Sequence, residues 1–253
     1  KLVLNSTYGV MKNKNNALYD PLQANRVCVY GQLLLLDLIE RLEPYAQIIQ
    51  SNTDGVLIKM PDGKNEDDWY SQIDDVANEW EIRTGLKLEF DEYREIYQKD
   101  VNNYIILDFW GHWKSKGAYV KELSSLDYDL PIVNKALVEF MVHGIPVKRT
   151  VMECNELKEF QLVSKISGKY THILHGNKLI KEKCIRVFAS KDKSDSGVQK
   201  VHATTKRPAK IPNSPANCFI WNESVNGVEV PEKLDKQWYV DLANKRLSDF
   251  GVI

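Results

Sequence analysis

The sequence has almost no net charge: 34 Lys and Arg stand against 35 Asp and Glu in 253 residues. It therefore lacks the overall basic field that gathers a polyanion, and any nucleic-acid contact has to come from local clusters. Cysteine is scarce as well. Cys28, Cys154, Cys184 and Cys218 are far apart and form no C-x-x-C pair, which argues against a zinc ribbon or a disulfide framework and suits a reducing compartment. The longest apolar run, Leu33 to Leu36 with its flanks, is broken by Asp37, Glu40 and Arg41, short of the roughly 20 residues a membrane span needs. The start has no apolar h-region and no small-residue cleavage site, so a cytoplasmic protein with no membrane partner is expected. Gly-rich phosphate loops, G-x-S-x-G and a Ser-His-Asp order are missing, and His172-x-x-His175 has no third ligand at a metal-binding spacing. There is no initiator Met. Lys1-Leu2-Val3-Leu4-Asn5 opens as though inside a helix, which suggests a truncated or split protein.

What is present reads as a mixed fold. Asp20 followed by Pro21 marks a helix start, and the segment to Glu43 is apolar all round its later half, so a buried helix is expected there. Tyr45 to Gln50 and Val56 to Met60 flank Ser51-Asn52-Thr53-Asp54-Gly55, the composition of a β-hairpin with a polar turn. Asp67 to Thr84 spaces Trp69, Ile73, Val76, Ala77 and Trp80 as an amphipathic helix that Gly85 stops. Leu86 to Leu107 alternates like strand, Pro131 to Val142 like helix, and Asp235 to Phe250 like a docked amphipathic helix. Ser190 to Pro215, rich in Ser, Lys, Thr and Pro, reads as a mobile basic excursion outside the core.

Two constellations carry chemistry. On a helix, Lys1, Asn5 and Tyr8 fall at i, i+4 and i+7, so a cation, an amide and a phenol share one face able to meet a triphosphate, a sugar and a base edge. Spacing alone fits a solvated helix end equally well. Asp54, at the tip of the hairpin, is a carboxylate on a tight turn, the rigidity that phosphoryl transfer by two Mg²⁺ ions about 4 Å apart requires. By itself N-T-D-G is an ordinary turn sequence.

Taken together and in this order, the two resemble family B DNA polymerases, in particular the phage type. Lys1, Asn5, Ser6, Tyr8 and Gly9 are similar to the fingers motif K-x3-N-S-x-Y-G, and Thr53 and Asp54 to the palm motif Y-x-D-T-D-S. The second acid of D-T-D, the metal ligand in that family, is kept as Asp54; the first is Asn52, and the following Ser is Gly55. Tyr104 resembles the tyrosine of the K-x-Y motif that steadies the primer end, although the position two before it is Asn102; Lys99 is the alternative cation. Lys114 and Lys116, beside Gly117, suit primer phosphates, and Lys191, Lys193, Lys200, Lys206, Arg207 and Lys210 suit the tip of a thumb.

The resemblance implies an α+β fold. It places the end of the fingers helix at 1–19, a palm of antiparallel sheet with packed helices at 20–114, and a mixed, largely helical thumb at 115–253. It implies template-directed DNA synthesis, with primer-template DNA and dNTP as partners and Mg²⁺, two ions in the complete enzyme, as cofactor. Asp54 would be the catalytic metal ligand, and Lys1, Asn5 and Tyr8 would bind nucleotide. Ser6, Gly9, Thr53, Lys99, Tyr104, Lys114 and Lys116 would contact DNA. The first palm acid, in D-x-x-S-L-Y-P, and the exonuclease carboxylates are not in this sequence, so an upstream polymerase portion is a further expected partner and the chain alone is expected to be inactive. The alternative is a non-catalytic DNA-binding module made of a degenerate or split palm and thumb.

Overall fold

The computed structural model describes residues 8–61, 66–124 and 128–252. The fold is α+β: helices and four small antiparallel sheets, with no barrel among the described residues. The chain divides into two compact units, Lys1–Asp91 and Glu92–Ile253. That division follows packing, whereas the sequence partition at 114/115 follows the palm and thumb of the resembled family.

In the first unit, helix α1 (Pro21–Leu42) starts where Asp20 accepts a hydrogen bond from the Gln23 N–H at 2.9 Å and Pro21 occupies the first turn. Strands β1 (Gln47–Ser51) and β2 (Val56–Lys59) form an antiparallel hairpin with a bulge between Ile48 and Gln50. Helix α2 (Glu66–Thr84) ends at Gly85, whose φ of +73° closes it. The side chain of Trp69 lies outside the described residues. Leu38 and Leu42 of α1, Ala46, and Ile73 and Trp80 of α2 form a small core, with Ile48, Val56 and Ile58 of the hairpin packed on it.

Two expectations are corrected here. Helix α1 is not buried: Leu22, Tyr30, Leu33 and Leu36 are exposed, and its buried residues are Ala24, Leu38 and Leu42. Its all-round hydrophobicity outruns the surface that α2 and the hairpin cover. Leu86 to Arg94 is irregular, not strand, because Leu88 is held to α2 when its N–H donates to Glu81 Oε1 at 2.6 Å.

The second unit begins with β3 (Glu95–Asp100), β4 (Asn103–Leu107) and β5 (Trp113–Lys116), an antiparallel sheet in the order β3-β4-β5. Helices α3 (Pro131–His143) and α4 (Val147–Glu153) and a 3₁₀ turn (Leu157–Phe160) follow. Then come β6 (Leu162–Lys165), β7 (Tyr170–His175), β8 (Lys178–Ile180), β9 (Cys184–Ala189), β10 (Val198–His202), β11 (Pro208–Lys210), β12 (Cys218–Ile220) and helix α5 (Lys236–Asp249). These strands make a three-stranded sheet, β12-β9-β6, and a four-stranded one, β11-β10-β7-β8. The part expected to be largely helical is therefore strand-rich. Its strands are three to six residues long, and burial along one such as Cys184–Ala189 does not alternate, so a period of two does not stand out.

The segment Ser190 to Pro215 is likewise no excursion. It contributes β10 and β11 and buries Val198, Val201 and Ile211. Few apolar residues suffice there: Val198 and Val201, three positions apart on β10, are buried on its two faces, and Ile211 just beyond β11. At the centre, Tyr239 of α5 is fully buried, edge-on to Phe160 at 5.0 Å between ring centroids. Its hydroxyl donates to the Phe160 carbonyl at 2.8 Å and accepts from the Ala189 N–H at 3.1 Å, tying α5 to the 3₁₀ turn and to β9. Burial pushes this phenol well above its ordinary pKa, so it stays protonated as a donor.

Replacing Tyr239 by Phe keeps the ring and strands two buried backbone groups. The expected outcome in urea denaturation is a loss of about 1–3 kcal/mol. An unchanged midpoint would show that the hydroxyl does not tie these elements together.

Candidate functional site

The hairpin tip is fixed by its own polar groups. Ser51 pairs with Val56, the Asn52 N–H donates to the Gly55 carbonyl at 3.0 Å, and Asn52 Oδ1 accepts from the Asp54 N–H at 3.1 Å. This side-chain turn is the chemistry Asn supplies in tight loops. Asn52, which stands where the resembled motif has its first acid, thus spends its amide oxygen on the backbone. Asp54 is exposed, and its carboxylate has no hydrogen-bond or ion-pair partner among the described residues.

Tyr8 has helical backbone, and its hydroxyl lies 2.8 Å from Cys28 Sγ on α1, where either atom can donate. Lys12 stands over the Tyr8 ring, 5.0 Å from its centroid, and hydrogen bonding to Tyr8 raises the Lys12 pKa. Tyr8, the α1 residues Cys28, Gln32 and Leu36, and the tip residues Asn52 and Thr53 line one cavity of about 700 Å³. Gly9 is exposed beside Tyr8. Lys1, Asn5 and Ser6 lie outside the described residues, so the cation beside Tyr8 that the structure describes is Lys12, a residue the motif gave no reason to single out.

Behind the cavity, Trp80 Nε1 of α2 donates to the Leu34 carbonyl of α1 at 3.1 Å. Asp37 of α1 binds Arg83 of α2 and, at 3.2 Å, Arg41; hydrogen bonds from Arg83 and then Arg41 hold its carboxyl below the ordinary range. These contacts fix α2 against α1, the helix that lines the cavity.

The second unit assembles the remaining residues on one sheet. Ile105 and Leu107 of β4 enter the large core, so by strand alternation Tyr104 and Ile106 occupy the opposite face. Tyr104 lies directly across from Lys116, and Ile106 from Lys114, which puts both lysines on the Tyr104 face. Both are exposed. Lys99 is the unpaired residue at a bulge in β3, and its Nζ lies 4.5 Å from the Tyr119 ring centroid. Asn102 sits in the turn between β3 and β4, where its N–H donates to Asp100 Oδ1 at 2.8 Å. The cation registered against Tyr104 is accordingly Lys116, across the ladder rather than two positions earlier in the chain. Sequence spacing missed this pairing because it is set by strand register.

The β4–β5 turn adds residues without a sequence signal. Asp108 accepts from the Trp110 N–H at 2.9 Å, the His112 N–H at 2.8 Å and His112 Nδ1 at 2.9 Å. Burial opposes ionisation there, yet these bonds keep the Asp108 carboxyl below its ordinary range. The locked turn leaves Phe109 60% and Trp110 78% exposed, beside the lysine-bearing strand.

Of the basic residues expected at a thumb tip, Lys191 donates to the Glu232 carbonyl at 3.0 Å and Lys200 stands over Tyr170 at 4.4 Å, while Lys200, Lys206, Arg207 and Lys210 lie on or between the paired strands β10 and β11. His175 Nε2 lies 2.8 Å from the Cys218 carbonyl, a structural bond. Among the described residues no group of three His, Cys, Asp or Glu side chains gathers to hold a metal, and no helix is long and apolar enough to cross a membrane. No protein-family model and no curated protein sequence matches the chain.

Gly117 closes β5 at a φ of +106°, and a Cβ there would lie 2.2 Å from Asn103 Oδ1 and 2.3 Å from the Asn102 carbonyl. Gly117→Ala is expected to cost more than about 1 kcal/mol, because it adds strain at a positive φ and a clash with the β3–β4 turn. A urea midpoint equal to that of the parent chain would show that this close approach is not required.

Proposed function

We propose that this chain is the palm and thumb part of a template-directed DNA polymerase of family B, adding dNTPs to a primer 3′-OH. The observation that carries the reading is the cavity of about 700 Å³ lined by Tyr8 of one family-like motif and Thr53 of the other; Asp54 follows Thr53 in the turn and is not itself among the lining residues. Spacing alone gave no reason for residues so far apart in the chain to share a wall.

On this reading the apolar side of the cavity, from Tyr8 and Leu36, takes the flat face of a nascent base pair. Lys12, beside Tyr8, adds a cation for the triphosphate, alongside the role assigned to Lys1 and Asn5. Asp54 fits one share of a Mg²⁺ site: an exposed carboxylate on a locked turn, with no competing partner among the described residues. When bound, two Mg²⁺ ions supply the charge that draws the primer oxygen toward the α-phosphate and stabilises the leaving pyrophosphate. A second carboxylate has to come from an upstream polymerase portion, since Asn52 is neutral and already hydrogen-bonded. Tyr104 and Lys116 would hold the primer strand, Lys116 and Lys114 through its phosphates. Phe109 and Trp110 offer a surface on which bases can stack. The place of action would be the cytoplasm, that of a bacterial host if the protein is viral.

The engagement of Asn52 with backbone favours one rival, a non-catalytic module that clamps DNA. Primer extension by the chain mixed with an upstream portion carrying D-x-x-S-L-Y-P separates the two. The polymerase reading expects Mg²⁺-dependent extension by the mixture and none by the chain alone. It also expects Asp54→Ala to lower the rate at least about a hundredfold while DNA affinity is retained, because the lost contact acts on the transition state. Asn52→Asp keeps an acceptor for the Asp54 N–H and restores a second acid, so extension should persist or rise. A mixture that binds DNA but never extends it would establish the clamp instead.

A further inference from the structure

The second unit holds a buried cation that makes no ion pair among the described residues. Arg246 of α5 is 7% exposed, and Asn134 Oδ1, at 3.2 Å from its Nη1, is its one hydrogen-bond acceptor among the described residues. No carboxylate lies within ion-pair distance of it among the described residues, although Asp129 and Asp249 act on it from farther off, and its Cζ stands 4.4 Å from the Tyr119 ring centroid. Lys99 stacks on the same ring. An arginine has five N–H donors, and burying the charge without pairing it is costly. None of its unbonded nitrogens is sealed off, however; the buried side-chain nitrogens without a partner are Arg186 Nε and Trp221 Nε1.

The space those donors reach is a cavity of about 340 Å³, lined by Arg246, Asn134, Lys121, Asp129, Asn213 and Tyr119 among others. That volume falls at the lower end of small-ligand sites, about 300–1,000 Å³. The lining carries Arg246 and Lys121 alongside Asp129, and Lys121 also has a contact of its own. Asn134 is itself buried, and its Nδ2 donates to the Ala118 carbonyl at 2.7 Å, which fixes the amide and with it the arginine. A cavity walled by an immobilised guanidinium with spare donors, a lysine and two amides is built to receive tetrahedral oxygens, for which the guanidinium fork is matched.

We infer that this cavity binds a phosphate-class oxyanion, with Arg246 as the principal ligand and Lys121 as the outer cation. The same chemistry fits a free phosphate or pyrophosphate and a phosphate of a nucleic-acid strand. It is independent of the proposed polymerase activity, and its test uses neither primer extension nor metal.

The test is a ¹⁵N NMR titration of the whole chain at constant ionic strength. The probes are inorganic phosphate, pyrophosphate, and a short oligothymidylate without terminal phosphates. The expected result is a saturable shift of the Arg246 Nε–H and Asn134 side-chain amide resonances that chloride does not reproduce. A response to phosphate or pyrophosphate assigns the site to free anions, and a response to the oligonucleotide alone assigns it to a strand. Arg246→Lys should weaken binding about tenfold or more, as loss of charge-assisted bonds does. Because that variant can disturb the core, the exposed Lys121→Ala is the second, with a several-fold loss expected and folding preserved. If those resonances stay unmoved by all three probes in the parent chain, the inference is wrong.

Discussion

A handful of buried side chains holds the hairpin to the helix beside it, and the candidate site depends on that contact. Leu38, Leu42, Ala46, Ile73 and Trp80 are the only fully buried members of this cluster among the described residues, with Ile48, Val56 and Ile58 leaning on them. An isolated two-stranded hairpin is marginal in water. Docked on α1 and α2 it becomes a rigid mount, and the internal bonds of Asn52 then carry that rigidity to the tip where Asp54 stands. Polar contacts complete the seating, since Trp80 and Arg83 reach from α2 to the backbone and the Asp37 side chain of α1.

The second unit is organised differently. Its core is large, and one tyrosine hydroxyl bonded on both sides links the last helix to a 3₁₀ turn and a central strand. The three-stranded sheet that carries Tyr104 turns one face into this core. Its other face is left with a row in which an aromatic alternates across the ladder with lysines. That division of labour follows from the two-residue period of a strand: the apolar Ile105 and Leu107 anchor the sheet in the core, and Tyr104, one position before, stands on the other face.

Much of this could be read from the chain. Asp20 with Pro21 announced the start of α1, Gly85 the end of α2, and the polar pentapeptide 51–55 the hairpin turn, because capping and turn chemistry are local. Residues 115–253 are strand-rich where a largely helical part is expected, and Ser190 to Pro215 is core where an excursion is expected, for one reason. Such strands reveal themselves by what they pair with, and three to six residues without regular alternation carry too little period to show a face. Helix α1 failed in the opposite sense. Its apolar surface predicts burial, but burial requires a neighbour, and Leu33 and Leu36 have none that covers them within the described residues.

The sequence by itself determined the local elements, the identity of the candidate acid and tyrosine, and the neutral residue where a first acid would stand. Tertiary structure decided which of these meet. Tyr8 and residues 51–53 came to line one cavity, Lys116 rather than Asn102 or Lys99 took its place opposite Tyr104, and Arg246 was enclosed without an ion pair among the described residues. Helix periodicity, caps and turns depend on residues within four or five positions, so they are written along the chain. Cross-strand register and the enclosure of a charge depend on residues tens to more than a hundred positions apart, and only the folded backbone brings those together.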